Sequence, residues 1–246
     1  MPSFKKPRKA VKNMKRSFSA ILAIAVLLAG LSSCKKDSTI LYNDQTMGNV
    51  ISSGKLLTDT GLTYDIVEQT CDGLIDTLDR VLVVCDILRK VSSSEYEVRL
   101  NKFYRVLYKS PIPLSEVDDE TVGNDPILPS TSWISGGCVN MLTAISFVST
   151  TATRHFVNLV YDDVQSTSDT LRFKLRHNGF GEVYGQYTPT EDVTIGSTYV
   201  SFPISAYMPS GKSSVVVKVF YDWYKTVDGA ITTDTQESFV TGTLTK

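Results

Sequence analysis

The chain has 246 residues, 42% of them hydrophobic, and a formal charge of −1 that hides an asymmetry. Residues 1–33 hold seven of the 25 Lys and Arg and no acid, so from Cys34 onward 18 basic face 26 acidic side chains, a net −8. That acidic body excludes nucleic acid as a partner, and the apolar share and the single apolar run exclude a disordered chain and a multispanning membrane protein.

The first elements in chain order are an address. Residues 5–16 are basic, Phe18 to Gly30 are apolar, and Leu31-Ser32-Ser33-Cys34 follows. The apolar run is short of the roughly 20 residues that span a bilayer, so 1–33 reads as a secretory signal. The tetrapeptide resembles the lipobox of bacterial lipoproteins, which implies that Cys34 becomes the acylated N-terminus and holds the protein to a membrane. Lys35-Lys36-Asp37 resembles the surface-export signals of Bacteroidetes lipoproteins. The expectation is an exported outer-membrane lipoprotein, periplasmic or surface-facing, with residues 34–45 as acylated Cys and polar tether.

Short alternating or β-branched runs follow. Strands are expected at Gly54–Asp59, Thr63–Glu68, Arg80–Lys90 and Tyr96–Tyr108, the last with a bend. Both faces of Arg80–Lys90 are mostly apolar through Val84, as in a strand coiled into a small barrel. In an oxidising compartment Cys71 and Cys85, flanking the Cys71-Asp72-Gly73 turn, are candidates for a disulfide across adjacent strands. With Cys138 they make an odd count, and three buried thiols packing as small hydrophobes is the alternative.

Residues 111–135 carry Pro111, Pro113, Pro126 and Pro129 around Asp118-Asp119-Glu120, and read as an acidic, Pro-rich linker. Trp133 is placed to pack the two halves together. Strands then resume at Val139–Val148, His155–Asp162, Thr170–Arg176, Tyr199–Tyr207, Ser214–Tyr224 and Ser238–Thr245, a spacing that suggests an antiparallel β-sandwich over 136–246. In Ser214–Tyr224, Val215, Val217, Val219, Tyr221 and Trp223 share the expected core face.

The lipobox at Cys34, Arg80-Val81 opening a strand, Asn124-Asp125-Pro126-Ile127 in the linker and Leu175-Arg176-His177-Asn178, in this order, resemble the NigD-like lipoproteins of Bacteroidetes. The resemblance implies an all-β chain with an N-terminal OB-like barrel over 46–110 followed by the C-terminal β-sandwich. It carries no reaction to transfer.

No catalytic constellation emerges. Ala206, Gly211, Lys212 and Ser213 satisfy a loose phosphate-loop pattern, but a strand follows where that chemistry needs a helix. His155 and His177 are the only histidines; with Asp162, Asp163 or Glu182 they could ligate a metal, yet no ligand spacing supports this and a structural hydrogen bond is the simpler role for His177. Asp118-Asp119-Glu120 lacks the spacing of a calcium loop. No cofactor is expected.

Two features suit recognition. Arg80–Lys109 interleaves seven bases with aromatics, and Arg99, Lys102, Phe103, Tyr104 and Arg105 are the candidate ligand-binding residues on the barrel. Tyr184, Tyr187, Tyr199, Tyr207 and Trp223 form a second aromatic set. The expected function is a lipid-anchored, non-catalytic binding or accessory subunit of the cell envelope, with an unknown envelope protein or glycan as partner. The alternatives are a surface glycan-binding lipoprotein serving polysaccharide uptake and a metal-dependent hydrolase.

Overall fold

In the computed structural model, residues 40–77, 79–151, 153–184 and 193–246 are described. Cys34 and Tyr187 lie outside them. Five strands, β1 (Tyr42–Ser52), β2 (Lys55–Thr58), β3 (Thr63–Gln69), β4 (Arg80–Lys90) and β5 (Glu95–Arg105), close into a barrel in the order β1-β2-β3-β5-β4. β3 and β5 run parallel and the other neighbours antiparallel. Val81, Val83, Cys85 and Ile87 of β4 point into the barrel core with Val50, Leu56, Tyr64, Val98 and Leu100.

The barrel's first strand starts inside the stretch read as tether, taking Tyr42–Gln45 from it, and lies wholly before the first expected strand. β1 begins at Tyr42 because Met47 and Val50 are buried, although the rest of Tyr42–Ser52 is largely polar. The long run after Glu95 does bend: β5 ends at Arg105, Val106 is buried, and β6 (Leu107–Tyr108) leaves the barrel to pair with the sandwich.

The sandwich has two sheets. One orders β14-β13-β11-β10-β7 and the other β6-β12-β9-β8, from β7 (Ile112–Pro113), β8 (Ile127–Ser135), β9 (Cys138–Val148), β10 (Phe156–Tyr161), β11 (Thr170–Asn178), β12 (Val193–Pro203), β13 (Ser214–Val227) and β14 (Ala230–Thr245). Most pairings are antiparallel, while β11/β13, β10/β7 and β12/β6 are parallel. Leu159, Leu171, Phe173, Leu175, Met141, Phe202 and Val217 are among the residues filling the space between the sheets.

The expected linker is built into this sandwich. β7 and β8 are edge strands, where Pro113 and Pro129 leave no central ladder bond unmade, and the register of β8 shifts between Pro129 and Thr131. The acidic stretch forms one helical turn, Asp119–Val122, whose N-terminus the Asp118 carboxylate caps by accepting from Glu120 N and Thr121 Oγ1. In β13, Val215, Val217 and Val219 are buried as expected, but Tyr221 and Trp223 of that face are only half-buried, while Tyr224 from the opposite face is buried, its hydroxyl accepting from the backbone N–H of Tyr184. The phosphate-loop match is a 3₁₀ turn at Ser205–Tyr207 and a tight turn into β13, with Lys212 paired to Asp169.

Candidate functional site

The barrel rests on the outer face of the four-stranded sheet. Arg80, the one charge opening an apolar strand, is buried there because every donor on its outward side meets an acceptor. Its guanidinium bonds both oxygens of Asp59, at 3.0 and 2.7 Å, along with Asn49 Oδ1, Asn140 Oδ1 and, through Nε, Ser201 Oγ. Asp59 also accepts from Ser135 Oγ, and Ser201 Oγ donates to Asn140 Oδ1 at 2.7 Å. Barrel strands β1 and β4 and sandwich strands β8, β9 and β12 thus share one polar network. Gly136 (φ 56°) sits against it, where a Cβ would collide with the Asp59 carboxylate. Around the network Met47, Leu82 and Val106 pack with Trp133 and Tyr199, so Trp133 does join the two halves. The outer face of β4 is apolar because it is an interface as well as a barrel wall.

Beside this junction the two walls diverge into a cleft of about 470 Å³, a volume in the range of small-molecule sites. Gln45, Thr46, Met47 and Leu82 form its barrel wall; Thr131, Trp133, Ser135, Leu142 and Tyr199 form its sandwich wall; Asp59 and Thr60 close one end. The lining is aromatic and uncharged-polar. Its one acid, Asp59, is neutralised by Arg80 and is only 6% exposed along its side chain. The Tyr104 ring lies 5.5 Å from that of Tyr199, extending the aromatic surface beyond the rim.

The five barrel residues proposed from sequence separate on inspection. Arg99 pairs with Glu68 and Asp86, and Arg105 with Asp76 and Asp79 while its ring-facing guanidinium covers Phe103. Lys102 and Tyr104 remain beside the cleft, the ammonium 4.6 Å from the ring centroid. From the second set Tyr199 lines the cleft, Tyr207 packs half-buried against Tyr161 and Phe173 at the edge of the sandwich core, and Tyr184 and Trp223 pack on Tyr224. Gln45, Thr46 and Asp59 were missed, Gln45 because it fell in the expected tether and Thr46 because no strand was expected before Gly54. Arg80 itself was the available signal, since a charge heading an apolar strand demands a buried partner.

Among the described residues the thiols, Cys71, Cys85 and Cys138, are free. Cys71 follows β3 and Cys85 lies on β4, strands that are not neighbours in the barrel, so the expected cross-strand bridge has no pair to form on. Burial, with Asp44 and Asp86 nearby, pushes the Cys85 thiol up to about 12.

The histidines do converge, away from the cleft. His155 Nδ1 lies 3.0 Å from His177 Nε2 and His155 Nε2 lies 3.1 Å from Glu182 Oε2, while His177 Nδ1 faces the Pro126 carbonyl. Burial, then the neighbouring His155, lowers His177 to about 4. Burial alone would raise Glu182, but hydrogen bonds from Thr151, Thr153, the Val148 N–H and His155 outweigh it and lower the carboxyl to about 2. Asp162 instead caps a turn by accepting from Gln165 N. Among the described residues no group of three or more His, Cys, Asp or Glu has metal-holding geometry, because these nitrogens face one another and the backbone.

Residues 110–234 match the model of the NigD-like C-terminal beta sandwich domain. No curated protein matches the sequence. Among solved structures, a Parabacteroides distasonis protein described as toxin-related is similar at 22% identity with a TM-score of 0.56, over 81% of this chain and 92% of its own. A NigD-like immunity protein of Bacteroides caccae is similar at 16% identity and 0.56, over 80% and 90%. A Bacteroides fragilis protein described as a lipoprotein is similar at 13% and 0.56, over 81% and 97%. At these identities the likeness is one of fold.

Proposed function

The chain belongs to the NigD-like family, and from that premise we propose that it is a lipid-anchored, non-catalytic binding component of the bacterial cell envelope. Its ligand would sit in the cleft between barrel and sandwich. The observation that carries this reading is the cleft itself, an aromatic and uncharged-polar space whose walls are held by the buried Arg80–Asp59 network. Rigid walls lower the ordering cost of binding. Trp133 and Tyr199 offer ring faces, and Gln45, Thr46, Thr60 and Thr131 offer hydrogen bonds, a combination suited to sugar rings. This favours an envelope or imported glycan as ligand over a highly charged one. The acylated Cys34 would keep the protein near its ligand and raise the effective concentration of each for the other.

The chain has two tryptophans, so a Trp223→Phe variant reports Trp133 emission alone. Titration of the full chain in detergent with fractionated host-envelope and dietary polysaccharides should change that emission saturably, and Trp133→Ala should remove binding measured by calorimetry. Hydrolysis of any of these polymers, or unchanged affinity in Trp133→Ala, would overturn the proposal. Labelling with a palmitate analogue in cells should depend on Cys34.

A further inference from the structure

We infer that the cleft carries an anion subsite at Lys102, so that its ligand is a saccharide bearing carboxylate groups. The inference rests on the binding reading above and narrows its ligand class.

The barrel wall is built of cross-strand rows. Met47 of β1 pairs with Leu82 of β4, which pairs with Tyr104 of β5; the next row runs Gln45, Val84, Lys102. Side chains along each row share the outer face of the barrel, and neighbouring strands are roughly 5 Å apart. Gln45 lines the cleft and Lys102 stands two strands further along the same row, on the exposed surface. Tyr104 bridges them to the sandwich wall through its contact with Tyr199.

Lys102 differs from the other bases of this stretch in its partners. Of the seven bases in Arg80–Lys109, Arg80, Arg89, Arg99 and Arg105 are paired with carboxylates, and Lys109 donates to Asn158. Lys90 lies at the far end of β4 over Tyr96. Lys102 is the base beside the cleft with no carboxylate partner among the described residues, held over the Tyr104 ring. Its contact with Tyr104 raises its pKa, so it stays a cation throughout the working range. The cleft itself contributes no net charge, because its single carboxylate answers Arg80. A ligand stacked on Trp133 and Tyr199 that extends past Tyr104 therefore meets a positive charge that no carboxylate among the described residues answers. The aromatic and hydroxyl-rich lining selects a saccharide as the carrier of that anion rather than an acidic peptide.

The test is calorimetry on the full chain in detergent with uronate-bearing oligosaccharides and the same oligosaccharides methyl-esterified. The acidic forms should bind more tightly, by up to about fivefold as for one exposed charge pair, and the advantage should shrink with added salt. Lys102→Gln should erase the advantage and leave the ester's affinity unchanged, whereas Trp133→Ala should weaken both. Equal binding of acid and ester, or an equal loss of both in Lys102→Gln, would overturn the subsite and leave the cleft reading standing. Failure of every saccharide to bind, with or without binding of an acidic peptide, would overturn both.

Discussion

Arg80 and Asp59 meet in a two-pronged ion pair with side-chain exposures of 0% and 6%, at the seam between barrel and sandwich. Such a pair is costly to desolvate, but it is more costly to break, since the survivor is left buried and charged. Arg80→Leu is therefore expected to destabilise the protein by about 3–5 kcal/mol in urea unfolding. Adding Asp59→Leu should restore much of that loss. If the double variant is as unstable as the single, the pair contributes through Asn49, Asn140 and Ser201 instead.

Gly123 closes the capped turn with φ 70° and ψ −179°, a conformation essentially confined to glycine. A Cβ there would stand 2.5 Å from the His177 carbonyl oxygen and 2.6 Å from Asn178 Cα. Backbone strain and overlap act together, so Gly123→Ala should cost at least about 2 kcal/mol. Gly229→Ala, with open space around its Cβ and φ 80°, should cost less, through strain alone. Chemical denaturation of the two variants side by side separates the two effects.

Acid should weaken the fold in two stages. His177 has its pKa lowered from 6.5 to about 4, so the unfolded chain takes up a proton that the folded one refuses as pH falls from about 6.5 to 4. Stability falls across that window by roughly 3 kcal/mol from this group. Glu182, lowered from 4.5 to about 2, contributes stability that is complete above pH 4.5 and is lost as pH falls toward 2. Unfolding free energies at pH 7, 5.5 and 4 should decline stepwise, and His177→Asn should flatten the upper part of the decline. A pH-independent stability between 7 and 4 would contradict this account.

The thiols should differ in reactivity. Cys71 is half-buried, while Cys85 and Cys138 are buried and have their pKa values raised by burial. Iodoacetamide on the native protein should modify Cys71 first, with Cys85 and Cys138 following only on unfolding. A non-reducing peptide map containing a Cys71–Cys85 peptide would contradict the free-thiol arrangement.

Much of the architecture is local and was legible in the residues. β4, β9, β11 and β13 carry enough apolar and β-branched side chains to declare themselves, and the bend expected after Tyr96 falls at Val106. Closure of β1–β5 into a barrel followed from a resemblance, because register between distant strands leaves no periodic signal in the chain. β1 and β8 escaped for separate reasons. β1 buries few of its side chains, and β8 contains prolines that only an edge strand with an irregular register accommodates.

What the sequence determined by itself was an all-β chain, through its alternation and turn residues, while the basic and apolar residues before Cys34 set the expectation of export. The tertiary structure decided which charges are available. Seven bases among aromatics read as one recognition surface, yet intramolecular carboxylates neutralise most of them and leave Lys102 beside the cleft. Likewise His155, His177 and Glu182 became one hydrogen-bonded relay only when β10, β11 and the segment after β11 came together. Side-chain chemistry is written locally, but whether a charge is free or answered depends on partners tens of residues away, brought within a few ångströms by the fold.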